Sequence, residues 1–150
     1  MAAFVQLKTP FKLTAMTASH GMGKSGLADT VMGVMRMKSG PLVQFHDAFT
    51  IKHVPTGFEV HGTDGSLVAR NCMTQNPVGE LVLRRGADEQ VMDDFERNDL
   101  YARSVSNFMA AVNGDGEPSA TAEDGLWSLA TALAALESAQ TGKTVGVSIG

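Results

Sequence analysis

The stretch Thr56-Gly-Phe-Glu-Val-His-Gly-Thr-Asp-Gly-Ser-Leu67 decides the fold class. Phe58 and Val60 alternate with Glu59 and His61, the two-residue period of a strand with one apolar and one polar face. Gly62-Thr-Asp-Gly65 follows, and Asp-Gly is the pair that accepts the positive φ of a tight hairpin, so Gly65 is expected there. Leu67-Val-Ala69 returns as the partner strand. Just upstream, Leu42 to Ile51 has the length of a long strand, with Gln44, His46 and Thr50 opposite Val43, Phe45, Phe49 and Ile51. It reads as a third neighbour of the hairpin.

Working outward, the same period recurs. Lys12 to Ser19 reads as a first strand, and Asp29 to Lys38 as a second whose faces are both rather apolar, as in a central strand. Glu80 to Arg85 and Asp88 to Asp93 form a weaker hairpin across Arg85-Gly-Ala87. From Asn98 the spacing changes to steps of three to five through Leu100, Tyr101, Val105, Phe108, Met109 and Val112, one face of a helix that Asn113-Gly114 stops. Thr121-Ala-Glu-Asp124 places a capping hydroxyl and two carboxylates at the start of a second helix. Its Leu126, Leu129, Leu133 and Leu136 are expected to anchor it to the sheet, each burial worth roughly 1.5 to 3 kcal/mol. Lys143 to Ile149 closes as a strand. Strands first and helices last give an α+β fold: an open, mainly antiparallel sheet with helices packed on one face.

At 150 residues, 43% hydrophobic and 19% charged, the chain has the size and composition of one ordinary globular domain. A net charge of -4 with both signs scattered gives no basic stripe, which argues against nucleic-acid binding. No apolar run has the length of a membrane span. The single Cys72 has no internal disulfide partner, and with no leader-like amino terminus the expectation is a cytoplasmic protein.

Several residues invite chemistry and each has a plainer reading. Gly21-Met-Gly-Lys-Ser25 suggests a phosphate loop, but Ala18 stands where a further glycine is needed and Gly26 where a helix should begin, so a surface loop is the reading. His46, Asp47, His53, Glu59 and His61 are of metal-ligand type, yet the cupin-like histidine-any-histidine spacing is absent and strand histidines mostly hydrogen-bond locally. Tyr101 and Trp127 have the helical phase of core or interface residues. The nine methionines read as adaptable core filling. Cys72 lacks a flanking cation and reads as an inert thiol.

The ordered strings Ser19-His-Gly-Met-Gly-Lys24, Val31-Met-Gly-Val34, Gln44-Phe-His-Asp-Ala-Phe-Thr50, Gly57 through Leu67, Pro77-Val-Gly79 and Glu123-Asp-Gly-Leu-Trp-Ser-Leu-Ala-Thr131 together resemble the C-terminal domain of the glucose-fructose oxidoreductase/inositol dehydrogenase family. The resemblance runs from about Lys12 onward. It implies that residues 12–150 form a single C-terminal oxidoreductase domain and that residues 1–11 are a remnant of a preceding helix and linker. Lys52 and His53, in the connection after the long strand, are implied as substrate contacts, beside the plain reading of a solvated loop. The family's Glu-Lys-Pro lysine and its Asp-x-x-x-His helix are absent from this sequence, and no unit of strand, Gly-x-Gly-x-x-Gly turn and helix is read in it, since Gly21-Met-Gly-Lys-Ser-Gly26 is not followed by a helix pattern. The intact parent is therefore expected to transfer hydride between NADP(H) and a sugar. This chain is expected to bind no cofactor and to be catalytically silent alone. Self-association through the sheet face is expected, burying Val43, Phe45 or Phe49 if they point away from the helices. The rival readings are a free-standing binding or scaffold domain and a metal-dependent β-fold enzyme.

Overall fold

The computed structural model describes residues 9–20 and 27–150. In chain order the elements are β1 (Pro10–Ala18), β2 (Thr30–Met37), β3 (Leu42–Ala48), β4 (Gly57–Gly62), β5 (Gly65–Arg70), β6 (Glu80–Arg85), β7 (Asp88–Met92), α1 (Leu100–Val112), α2 (Ala122–Thr141) and β8 (Val145–Gly146). The α+β class holds, with the strands divided between two four-stranded antiparallel sheets, ordered β3-β2-β1-β8 and β4-β5-β6-β7. The chain forms two compact units, Met1–Lys52 with Ala120–Gly150, and His53–Ser119. The remnant assigned to residues 1–11 and the loop Gly21 to Gly26 lie largely or wholly outside the described residues.

In the first unit α2 lies on one face of its sheet. Leu13, Ala15, Ala134, Ala135 and Val147 are buried together, with Val31, Met35, Phe45 and Trp127 packed against them. The face that α2 turns to the sheet is made of small residues, which let the helix backbone come close. Ser138, wholly buried, fixes its rotation: its Oγ accepts from the Ala15 N–H (2.9 Å) and donates to the Lys143 carbonyl (2.6 Å). This corrects the expected role of the leucines. Leu126, Leu129, Leu133 and Leu136 are 48–58% exposed, because Leu133 stands about 100° around the helix from Ala134, on the far side of the Ala134/Ser138 contact. The start of α2 is as expected, a capping box between Thr121 and Asp124, and it ends on Gly142 in the left-handed conformation.

The strand faces follow from the register. Phe45 lies on the α2 side, leaning over Gly33, where an added Cβ would sit 2.5 Å from the Phe45 ring. Alternation puts Val43 on that same side, so neither residue lines the open face. Phe49 lies past the end of β3 and is exposed. The open face carries instead Met16, Met32, Val34 and Leu42, with Met16, Met32 and His46 in one cross-strand row. Among the described residues β3 pairs with β2 alone; the hairpin read as its neighbour belongs to the other sheet. β8 is shorter than the closing strand expected from Lys143 to Ile149.

In the second unit, Gly62 and Gly65 face each other across Thr63-Asp64, and Gly65 has φ +155°, the positive value its turn requires. Its missing Cβ leaves room for the Arg84 carbonyl, which an added carbon would approach to 2.6 Å. Val68 and Val82 are almost fully buried although they share a face with Arg70, Glu80, Arg84 and Glu89. The ion pairs explain it. Arg70 meets Glu80 at 3.1 Å and reaches Glu89 at 3.9 Å, and Glu89 also takes Arg84 at 2.5 Å. The Arg70–Glu89 pair joins β5 to β7 across β6, so aliphatic stems roof Val82 while the charges stay wet. α1 begins where Asp99 accepts from the Tyr101 and Ala102 N–H groups and buries none of its residues. Tyr101, expected in a core or interface, is 61% exposed here.

Candidate functional site

Lys52 and His53 fall in the connection after β3, both exposed, and the two compact units divide between them. Among the described residues neither side chain meets a polar partner.

The most ordered polar cluster lies at the end of the first sheet from which that connection leaves. Asp29, directly before β2, is 5% exposed. Its Oδ2 accepts from the His20 backbone N–H at 2.7 Å, and its Oδ1 from His20 Nδ1 at 3.0 Å and from the Thr30 hydroxyl at 3.2 Å. The Asp29 backbone is also tied on both sides, its N–H to the Ala18 carbonyl and its carbonyl to the Phe49 N–H, each at 3.0 Å. Asp29 therefore ties β1, β2 and the exit of β3 together, its carboxylate to His20 and Thr30 and its backbone to Ala18 and Phe49. A carboxylate buried this deeply requires such a set of donors. His20 itself is more than half exposed.

The histidines considered as metal ligands do not gather. His61 Nε2 is 3.2 Å from Glu59 and its Nδ1 2.9 Å from the Ser66 hydroxyl, a pairing along and across adjacent strands. His46 belongs to the other unit's sheet. Among the described residues no three of His, Cys, Asp and Glu are placed to hold an ion. Trp127 is half-buried against the core, with Lys38 Nζ 5.4 Å from its ring centre. Cys72 Sγ donates weakly to the Ala69 carbonyl at 3.7 Å.

Among the described residues the usual hold for a nicotinamide dinucleotide is not found. Its pyrophosphate is ordinarily held by a glycine turn between a strand and a helix, and here the glycine-rich segment joins two antiparallel strands, β1 and β2. The amino termini of α1 and α2 are occupied by their own carboxylates, Asp99 on Tyr101 and Ala102, and Asp124 on Thr121. An anion there would meet like charge. No described helix is long and apolar enough to cross a membrane.

An apolar groove of about 340 Å³ runs between α2 and the first sheet, past Val31, Met35, Phe45, Ala135 and Leu136. The Ser128 and Thr131 hydroxyls beside it donate to helix carbonyls and offer it no donor. Thr17 adds one further hydroxyl to an otherwise apolar lining, so the groove is suited to packing more than to recognising a polar molecule.

The sequence singled out Lys52 and His53 but not the Asp29 cluster. The string Ser19-His-Gly contributed only to the likeness, and an aspartate opening a strand after a glycine-rich loop looks like any turn residue. Burial distinguishes it, and burial here comes from the register of three strands.

Comparison with known proteins agrees with this architecture. Residues 7–147 match the family model described as "Oxidoreductase family, C-terminal alpha/beta domain". The chain is 48% identical over 147 residues to 1,5-anhydro-D-fructose reductase of Ensifer adhaerens, covering 98% of this chain and 44% of that protein. It is 29% identical over 149 residues to inositol 2-dehydrogenase of Rhizobium meliloti, covering 92% of this chain and 43% of that one. It thus spans less than half the length of the curated relatives it matches. Among solved structures, the fold resembles aldose-aldose oxidoreductase from Caulobacter crescentus with a TM-score of 0.80 at 15% identity, over 93% of this chain and 42% of that one. Levoglucosan dehydrogenase gives 0.73 at 18% identity, over 93% and 45%. With nearly its whole length matched, this chain belongs to the oxidoreductase family of glucose-fructose oxidoreductase and inositol dehydrogenase, as a C-terminal alpha/beta domain.

Proposed function

We propose that this chain is the substrate-side half of an NADP(H)-dependent sugar oxidoreductase, silent in hydride transfer without the dinucleotide-binding half. The observation that carries the reading is the family match over residues 7–147. The reductase of Ensifer adhaerens, named for 1,5-anhydro-D-fructose, indicates the substrate class. Lys52 and His53 contribute hydrogen bonds to sugar hydroxyls; both are exposed and unencumbered by internal polar partners, as first contacts to a wet ligand should be. Backbone NMR of the chain titrated with 1,5-anhydro-D-fructose tests this. Amide shifts confined to the neighbourhood of Lys52 and His53, and lost in Lys52→Ala, are expected; no shift there at millimolar sugar would sink the assignment.

The same domain self-associates through the open face of its first sheet. Met16, Met32, Val34 and Leu42 are 54–78% exposed on that face. A second copy is the occupant that fits, because an antiparallel sheet face stacks on itself about a two-fold axis. Sedimentation at micromolar concentration should show a dimer that Met32→Arg converts to monomer. A parent that sediments as a monomer contradicts this.

A further inference from the structure

We infer that His20, held by Asp29, is an additional sugar-hydroxyl acceptor beside Lys52. The inference rests on the substrate-side reading above and deepens it by one residue. Asp29 Oδ1 lies 3.0 Å from His20 Nδ1 while Oδ2 takes the His20 N–H at 2.7 Å, so ring and backbone of the histidine are clamped by one buried carboxylate. An ionised carboxylate only accepts, which makes Nδ1 the protonated nitrogen of the neutral ring. Nε2 is then an unprotonated acceptor on a side chain that is 58% exposed. Buried carboxylates use the same arrangement to orient functional imidazoles and fix their tautomer. A histidine that merely closed a hairpin would need neither a clamped ring nor an exposed second nitrogen.

The topology brings this nitrogen to the Lys52 end of the unit. The Phe49 N–H donates to the Asp29 carbonyl at 3.0 Å, so β3 leaves the sheet alongside the carboxylate that holds His20. Lys52 is three residues further on, within about 11 Å of Phe49 even for a fully extended chain. A cationic donor and a neutral acceptor at one sheet end match a polyhydroxyl ligand, whose hydroxyls donate and accept. Asp29 is the positioning residue of the pair.

Imidazole ¹⁵N NMR of the 150-residue chain at about pH 8, where an ordinary imidazole is neutral, reads both parts of this inference. His20 is expected as the Nδ1–H tautomer, and added 1,5-anhydro-D-fructose is expected to move its Nε2 resonance in step with the Lys52 amide. Asp29→Asn should lose the tautomer preference and the sugar response of His20; should that variant unfold, the parent spectrum still decides. An Nε2–H tautomer in the parent overturns the inference. Sugar-dependent shifts at Lys52 with none at His20 also overturn it and leave the substrate-side reading standing. Shifts at neither residue remove that reading and this inference together.

Discussion

The two sheets cover their central residues by different means. In the first, Leu13 and Ala15 are sealed under the small-residue face of α2, and the seal is fixed by a wholly buried hydroxyl bonded at both ends. In the second, Val68 and Val82 are covered by arginine and glutamate side chains rooted in the same sheet, whose charged ends remain in water. Equal burial thus does not mean equal energetic stakes. A buried hydrogen bond that loses a partner exposes nothing to solvent and costs the full desolvation of what is left. A wet ion pair that is broken is replaced by water.

The contrast can be broken most sharply at Ser138. Ser138→Val removes the partner of the Ala15 N–H and of the Lys143 carbonyl, and each stranded group costs about 1–3 kcal/mol, so a loss of about 4 kcal/mol is expected. Hydrogen exchange should accelerate at the β1 amides, with little dependence on salt. Exchange as slow as in the parent would mean the hydroxyl is not what fixes α2.

Gly65→Val should come next, at about 3 kcal/mol, since strain at an unfavourable φ costs about 1–3 kcal/mol before any clash. The new Cβ also meets the Arg84 carbonyl at 2.6 Å, a backbone atom that cannot swing away. Faster exchange at the β5 and β6 amides would report it, whereas parent-like rates there would show that the turn tolerates a side chain.

The roof over Val82 gives the smallest effect and the most discriminating one. Arg70→Ala is expected to cost about 1 kcal/mol, and Arg70→Met, which keeps the stem and drops the charge, clearly less. If the two variants were equally destabilised, and both effects vanished at molar salt, charge rather than cover would be the source.

These particulars show how much was legible in the sequence. The α+β class, a hairpin within Gly62-Thr-Asp-Gly65 with Gly65 at positive φ, whose turn falls on Thr63-Asp64 rather than on the expected Asp64-Gly65, and the Thr121/Asp124 capping box are local, each written in a few adjacent residues. The division into two sheets was not legible, because alternation identifies a strand without naming its partner. The side of α2 that meets the sheet was missed for a definite reason. Hydrophobic size favoured the leucines, but close approach and one buried serine favour Ala134, Ala135 and Ser138. The chemistry was less legible than the fold. Lys52 and His53 came from resemblance, while the Asp29 cluster exists only once β1, β2 and the end of β3 are in register.

Whether this chain supplies the substrate side of an oxidoreductase and not its dinucleotide site is decided by titrating it with NADPH under calorimetry. Each described helix amino terminus carries its own carboxylate, Asp99 as the cap of α1 and Asp124 in the capping box of α2, and the glycine-rich segment joins two strands. No saturable heat is therefore expected in the micromolar range. Stoichiometric binding with a micromolar dissociation constant would contradict it.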